Sequence, residues 1–470
     1  MRILFWFRKD LRLHDNTALG EAARDAHGDV VPFYASEPEI FSRPDMAAVR
    51  VRFALESLSD LAAAIEHCGS HLALVHGSAT ETVVRAARAV RADAVYWNDE
   101  YEPQLVRRDD AVERALRGEG FSVRRFHDRL LVPPGTVATK EGRPFVVYTA
   151  FRRACEALPL SQPLPCVRRL APHDLPRQTI ASLDQFGFAT HQTSWPGGTK
   201  AAKKRLREFL SRRLARYADQ RDFPAHEATA RLSADLEFGT LSPRTVTTAA
   251  VAAAREAPGL HKSAERFISQ LRWRDFYSHL LYHHPRVEAG AFRARYDGIR
   301  WRGDPEHFAA WQAGETGYPF VDAGMRELAA TGFMHNRVRM VVASFLTKDL
   351  LLDWRLGERH FMQQLVDGNL ANNNGGWQWA ASTGTDAQPY FRIFNPTLQG
   401  KRFDPEGAYV SRWVPEVSKL AARWIHHPWE APAQVLADAG IVLGSTYPLP
   451  IVEHMEQRDR AVAMYREALV

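Results

Sequence analysis

Cysteine is scarce: Cys68, Cys155 and Cys166 are the only three in 470 residues. None stands in a CxxC spacing or beside a paired histidine cluster. Neither a disulfide framework nor a metal site is therefore expected, and a cytoplasmic location suits the chain. Long apolar runs are missing too, and none reaches the roughly 20 residues a membrane-crossing helix needs, so no membrane partner is expected. The start, MRILFWFRKDLRLHDN, meets charge at its second residue and again at Arg8. That pattern does not suit a signal peptide, and its short apolar run reads as a buried first strand. No GxGxxG follows any strand-like run, which excludes a dinucleotide fingerprint of the usual kind. Internal repeats and low-complexity segments are absent as well.

What is present is a soluble composition on a chain too long for one ordinary core, so two or more domains are expected. The net charge of +6 points mildly toward an anionic partner. The 12 tryptophans say more, because several lie inside polar motifs rather than in apolar runs.

Short β-rich runs recur at Ile3–Phe7, Val30–Ala35, Leu72–Val75, Ala94–Trp97 and Val123–Phe126, separated by helix-like stretches such as Met46–His67 and Thr80–Val90. This alternation predicts an open parallel α/β sheet, Rossmann-like in outline, over residues 1–130. Residues 131–198 are dense in proline and close on Gly197-Gly198, the composition of a connector. From Thr199 the pattern turns helical, opening on AAKKRLREFLSRRLARYADQRD. Further segments follow near 243–256, 263–284, 318–331, 335–349 and 353–365, so residues 199–470 are expected to be all-α.

The stretch from Asn336 to Asn395 carries the chemistry. Asn372, Asn373 and Asn374 precede Gly375-Gly376 and then Trp377 and Trp379. Asparagine and glycine are poor helix-interior residues, so packing alone explains them badly, and a Gly-rich turn is the plain alternative. Amides beside flat aromatic surface suit recognition of a heterocycle, since Asn both donates and accepts.

HNRVRM, GWQWAASTGTDAQPYFRIFNP, TGYPFVDAGMREL and the opening FRKDLRLHDNTAL, spread over nearly the whole chain, resemble the signature segments of the cryptochrome/photolyase family, in its class I cyclobutane-dimer branch. The resemblance implies an N-terminal antenna-chromophore domain and a C-terminal helical domain that binds FAD and DNA. It also implies a monomer, and light-driven repair of UV-damaged DNA by electron transfer from reduced FAD to a flipped-out pyrimidine dimer. Flipping is needed because a lesion stacked inside the duplex is out of reach of the cofactor.

Residue by residue, Tyr217 and the segment Thr229, Ala230, Arg231, Leu232, Ser233 resemble the contacts on the FAD phosphate side, with Arg274 a further one. Ala230 serves only through its backbone where Ser is usual. Asp367 resembles the aspartate facing the isoalloxazine, with Gly368 and Asn369 in the same loop, and Arg339 its ion-pair partner. Asn373 resembles the residue beside flavin N5, where a neutral amide accepts from N5–H and favours the reduced anionic flavin of repair enzymes. Trp377, Trp354 and Trp301 resemble an electron-transfer triad. Trp273 and Trp379 resemble walls of the dimer pocket, and Met340 and Asn336 its base-proximal contacts. Arg337, Arg392, Lys401 and Arg402 are candidate phosphate contacts, or else a solvated basic face.

Two positions depart from the pattern. Gln270 stands where cyclobutane-dimer enzymes usually carry Glu, and (6-4) photolyases tend toward Gln there, although Asn336 and Met340 are residues of the cyclobutane type. Asn369 stands where the family commonly has Asp. A (6-4) or dual-specificity photolyase and a cryptochrome-type blue-light sensor are the alternatives. For the antenna, Gln104 and Leu105 replace the Asn-Glu pair expected for methenyltetrahydrofolate. WNDEYEP is more like deazaflavin-binding relatives, with Glu100 and Glu102 as contacts and FMN or an empty site as alternatives.

Overall fold

The computed structural model describes residues 1–189 and 195–469. Residues 190–194 of the expected connector lie outside them. The chain separates into two compact units. One comprises Met1–Ala218, Thr229–Pro285 and Val366–Ala371; the other comprises Asp219–Ala228, Arg286–Leu365 and Asn372–Val470.

The first unit opens on five strands: β1 (Ile3–Phe7), β2 (Val30–Ser36), β3 (Ala73–His76), β4 (Ala94–Asn98) and β5 (Ser122–Phe126). Every strand pair is parallel, in the order β3-β2-β1-β4-β5, as the βα alternation requires. All five residues of β1 are buried, and its sequence accordingly shows no apolar–polar alternation. Leu4, Trp6, Val31, Phe33, Val95 and Trp97 pack into one core with Val83 and Val112. The strand order reverses between β1 and β4, so their carboxyl ends flank the crevice where open α/β sheets place ligands. Arg8, Lys9 and Asp10 leave β1 there, and Asp99 and Glu100 leave β4.

The rest of this unit is helical, with helices at Ala48–Glu66, Ser233–Phe238, Pro243–Glu256 and His261–His283. The expected opening helix is interrupted: Thr199–Glu208 gives way to a π-helical turn, Phe209–Arg213, before the helix resumes at Leu214–Gln220. The proline-dense connector holds a helix, Tyr148–Glu156, that composition obscured. Its buried Tyr148, Phe151 and Cys155 recur at helical spacing.

The second unit is built from Pro305–Ala313, Pro319–Thr331, Asn336–Ser344, Trp354–Gln364, Pro396–Phe403 and His454–Glu467, among other helices. Its core gathers Trp311, Trp354 and Trp377 with Phe345 and Phe361. The segment expected as one helix over 335–349 ends in a π-helical turn, Phe345–Asp349. The Asn-Gly run is not a turn: Leu370–Ala380 is an α-helix. Its poor propensity is overridden by side-chain amides that bond to carbonyls outside the helix, Asn373 to Glu358 and Asn374 to Val287.

Candidate flavin and DNA site

In the first unit, Tyr217 is buried with its ring edge-on to Phe209 and Phe267, each 5.6 Å away. The segment from Thr229 to Ser233 leads into the helix Ser233–Phe238. Arg231 there adopts a left-handed conformation, φ +53°, uncommon for a side chain of its size. The turn is held by Arg213, which donates to Thr229 O (3.2 Å). The Arg231 guanidinium lies 5.9 Å from the Trp195 ring centroid.

Arg274 donates to the carbonyls of Arg129 (2.5 Å) and Leu236 (3.0 Å), so it braces the backbone around this segment. It lines a cleft with Tyr101, Arg129 and Asn369. Gln270 and Trp273 stand one turn apart on the same helix and share a face. Trp273 stacks on Tyr148 at 3.6 Å and 12°.

The loop carrying Asp367, Gly368 and Asn369 is fixed from behind. A Cβ at Gly368 would stand 2.5 Å from the Arg50 guanidinium carbon, so only glycine lets Arg50 pack there. Asn369 donates to Glu237 Oε2 (2.8 Å).

In the second unit, Asn373 donates through Nδ2 to Glu358 O (2.9 Å), which leaves Oδ1 as the accepting end of its amide. Asn374 donates to Glu358 Oε1 and Val287 O, both at 2.9 Å. Burial pushes the Glu358 carboxyl up to about 7, against the lowering effect of the Asn374 bond.

Trp377 and Trp354 are buried, and Trp301 is half-buried against the same core. A Cβ at Gly357 would stand 2.1 Å from the Trp377 ring, so glycine lets the indole lie directly on the helix Trp354–Gln364. The Trp377 Nε1 donor is buried without an acceptor among the described residues, as are those of Trp6 and Trp97 in the sheet core.

Sequence reasoning passed over Trp311, whose ring lies 6.1 Å from Trp377 and which donates to Val342 O at 3.2 Å. Its short helix, Pro305–Ala313, has no marked apolar face and gave no signal. Glu358 was likewise missed, because a lone Glu in a polar helix reads as solvated.

The expected DNA-facing residues of this unit come together only in part. Asn336 is exposed, with its Nδ2 3.8 Å from Met340 Sδ. Arg337 and Arg402 lie against the Phe403 ring, at 4.3 and 5.1 Å. Arg337 is already paired with Asp222 at 3.0 Å, which weakens its case as a phosphate contact. Lys401 and Arg392 are exposed, and Lys401 Nζ is 3.3 Å from His427 Nε2. Trp379 packs at 6.4 Å from Phe394. Arg339 donates to Met334 O (2.8 Å) and lies over Phe333.

At the β1/β4 crevice, Glu102 pairs with Lys9 (2.7 Å) and Glu100 with Arg129, so both carboxylates expected to face an antenna chromophore hold internal partners.

Comparison with known proteins assigns the chain to a family. Residues 267–467 match the FAD binding domain of DNA photolyase, and residues 3–169 match DNA photolyase. The deoxyribodipyrimidine photo-lyase of Agrobacterium fabrum is 42% identical over 98% of this chain and 97% of its own length. A solved class III photolyase from Agrobacterium tumefaciens superposes with a TM-score of 0.93 at 41% identity, over 99% of this chain and 97% of the other. An archaeal photolyase from Sulfolobus tokodaii, described with two FAD molecules and the implication of a novel light-harvesting cofactor, gives a TM-score of 0.84 at 33% identity, over 99% of this chain and all of the other. With relatives this similar over nearly the whole length, the chain belongs to the cryptochrome/photolyase family.

Proposed function

We propose that this chain repairs cyclobutane pyrimidine dimers in DNA, driven by light, with reduced FAD as its cofactor. The observation that carries the reading is the Asn373 amide. Glu358 O holds its Nδ2, and the accepting Oδ1 is left for a flavin N5–H. A neutral acceptor supplies no acidic proton at that atom, which suits an electron donor rather than a sensor. FAD, when bound, supplies the photoexcited electron; the protein supplies placement and electrostatics.

In this reading Tyr217 and Thr229–Ser233 hold the phosphate side, with Arg274 setting their backbone. Asp367 and Arg339 meet the ring system. Trp377, Trp354 and Trp301 carry electrons inward to keep the cofactor reduced. Trp273 and Trp379 wall the flipped dimer, Gln270, Asn336 and Met340 meet its bases, and Arg392, Lys401 and Arg402 meet DNA phosphates. The antenna domain is residues 1–130, joined through 131–198 to the helical domain 199–470, and the enzyme acts as a monomer. Any antenna chromophore is a deazaflavin or FMN in preference to methenyltetrahydrofolate, and its approach to Glu100 and Glu102 requires their present pairs to open.

The test is illumination of the reduced protein with oligonucleotides carrying either a cyclobutane dimer or a (6-4) product. Restoration of the first alone is expected. Restoration of both would make Gln270 a determinant of lesion range. Repair of neither, with FAD bound, would overturn the reading in favour of a sensor.

A further inference from the structure

Asn369 is the departure from the family pattern that lies in the proposed flavin loop itself, and the structure gives it a partner. Its Nδ2 donates to Glu237 Oε2 at 2.8 Å. Glu237 is almost fully buried and accepts from every side: Lys9 Nζ bonds Oε1 at 2.7 Å and Arg129 bonds Oε2 at 3.0 Å. Burial alone would raise this carboxyl, but Lys9 and Arg129 bring it down to about 2, so it is ionised at neutral pH. The acidic group absent at position 369 is therefore present 2.8 Å away, on another element.

That element matters. Glu237 lies on the six-residue helix Ser233–Phe238, which begins at the last residue of the proposed phosphate-side segment. One short helix thus ends the segment that meets the FAD phosphates and grips the loop that meets its ring. Arg50, packed on Gly368, closes the same loop from behind.

We propose that Glu237 is the positioning residue of the flavin loop, and that asparagine at 369 is required by it. Aspartate at 369 would set two carboxylates at hydrogen-bond distance with no proton between them, and such a pair cannot stay doubly ionised without moving apart or taking up a proton. The loop carrying Asp367 would shift, and with it the ring end of the cofactor site. Glu237 itself meets no cofactor atom; it acts through Asn369.

This inference rests on the flavoprotein reading above, and one set of variants separates the two. FAD dissociation constants, flavin absorption band shape and flavin midpoint potential are measured for the full-length protein and for N369D, E237Q and the double variant. N369D is expected to bind FAD about tenfold or more weakly, the equivalent of one pKa unit of mismatch, with a displaced potential. In E237Q the amide oxygen still accepts from Asn369 and Arg129 but its N–H2 faces Lys9 Nζ, so an FAD affinity between those of N369D and the unaltered protein is expected. The double variant restores one amide and one carboxylate with the bond reversed, and is expected to recover most of the lost affinity and potential. N369D indistinguishable from the unaltered protein, or a double variant no better than N369D, overturns the proposal. If N369D does not fold, Asn369→Ala carries the test: an intermediate loss of FAD is expected, and no loss overturns it. An unaltered protein that binds no FAD would instead sink the flavoprotein reading itself.

Discussion

The two compact units treat buried charge in opposite ways. In the first, buried ions are paired, often twice over. Asp128 is fully buried between Arg12 and Arg244, and Asp15 is held by Arg244 and the Ser242 hydroxyl. Arg8 meets Asp109 at 2.6 Å, and Glu237 sits between Lys9 and Arg129. In the second unit the deeply placed ionisable groups mostly meet neutral partners. Asp322 accepts from Thr316 and Tyr447, the half-buried Glu358 from Asn374, and Lys348 donates to Ser382. Burial pushes Lys348 well below its usual range, and it raises Asp349 to about 6 against the opposing pull of His454, 2.6 Å away.

The contrast has a physical reading. Paired charges lock a polar interior into one geometry, which suits the unit that holds the flavin loop. A neutral interior lets charge pass between indoles without strong fixed fields, which suits the unit that holds the proposed triad Trp301, Trp354 and Trp377.

The largest effect expected from breaking this contrast is on electron supply. Trp377→Phe keeps the aromatic packing on Gly357 but removes the readily oxidised indole. Light-driven reduction of oxidised flavin is expected to fall to background, while protein reduced chemically still repairs dimers. Transient absorption decides it, and photoreduction at the normal rate would mean that Trp311, 6.1 Å away, or another donor carries the electrons.

Next in size is the ion-pair side. Asp128→Asn leaves Arg12 buried without its carboxylate and Arg244 with Asp15 alone, a loss of about 3–5 kcal/mol of stability in denaturant titration. Burial favours protonation of Asp128, yet Arg12 and Arg244 hold it down to about 2. A depressed carboxyl stabilises the fold above its unfolded value near 4, and that stability drains away as pH falls toward 2. The variant should lack this acid limb.

How much of this was legible in the sequence follows the same divide. The strands showed themselves because parallel β-structure is a run of buried β-branched and aromatic residues between turn signals, and Ile3–Phe7 matches residue for residue. The helices at 243–256 and 353–365 showed through their apolar period. The tryptophans and Asn373 showed through their odd company. The ionic network did not, because Lys9, Arg129 and Glu237 lie far apart in the chain and each looks like a solvated residue where it stands. Asn372–Gly376 left a turn open as the alternative because propensity is local and the bonds from Asn373 and Asn374 to Glu358 are not.

Glu358 sharpens the comparison from the neutral side. Its carboxyl, about 7 in the fold and near 4.5 unfolded, is neutral in the folded state over that interval and ionised in the unfolded one. The unfolded state therefore binds fewer protons, so this group's contribution to stability falls as pH rises from 4.5 to 7 and is level above. Because Glu358 is only half-buried, a difference of about 2 kcal/mol is the expected scale. Glu358→Gln should gain melting temperature relative to the unaltered protein as pH rises through this window. A constant difference from about pH 5 to 8 would show that the carboxyl is ionised throughout.

The smallest expected effect tests whether the second unit tolerates an unpaired cation at all. Lys348 is 1% exposed, its Nζ lies 3.6 Å from the Tyr465 ring centroid, and it donates to Ser382 Oγ at 3.0 Å. No carboxylate forms a salt bridge with it among the described residues. Replacing an uncompensated buried charge by an apolar side chain of similar length is neutral or stabilising, so Lys348→Met should leave stability unchanged or raise it by about 1 kcal/mol at neutral pH. The sign of its pH dependence is opposite to that of Glu358. A lysine depressed by burial binds fewer protons folded than unfolded, so the unaltered protein gains stability as pH climbs toward about 10 and the advantage of Met shrinks. A variant markedly less stable at every pH would mean that the cation–π contact and the Ser382 bond compensate Lys348 fully, and that the second unit, too, pairs its charges by other means.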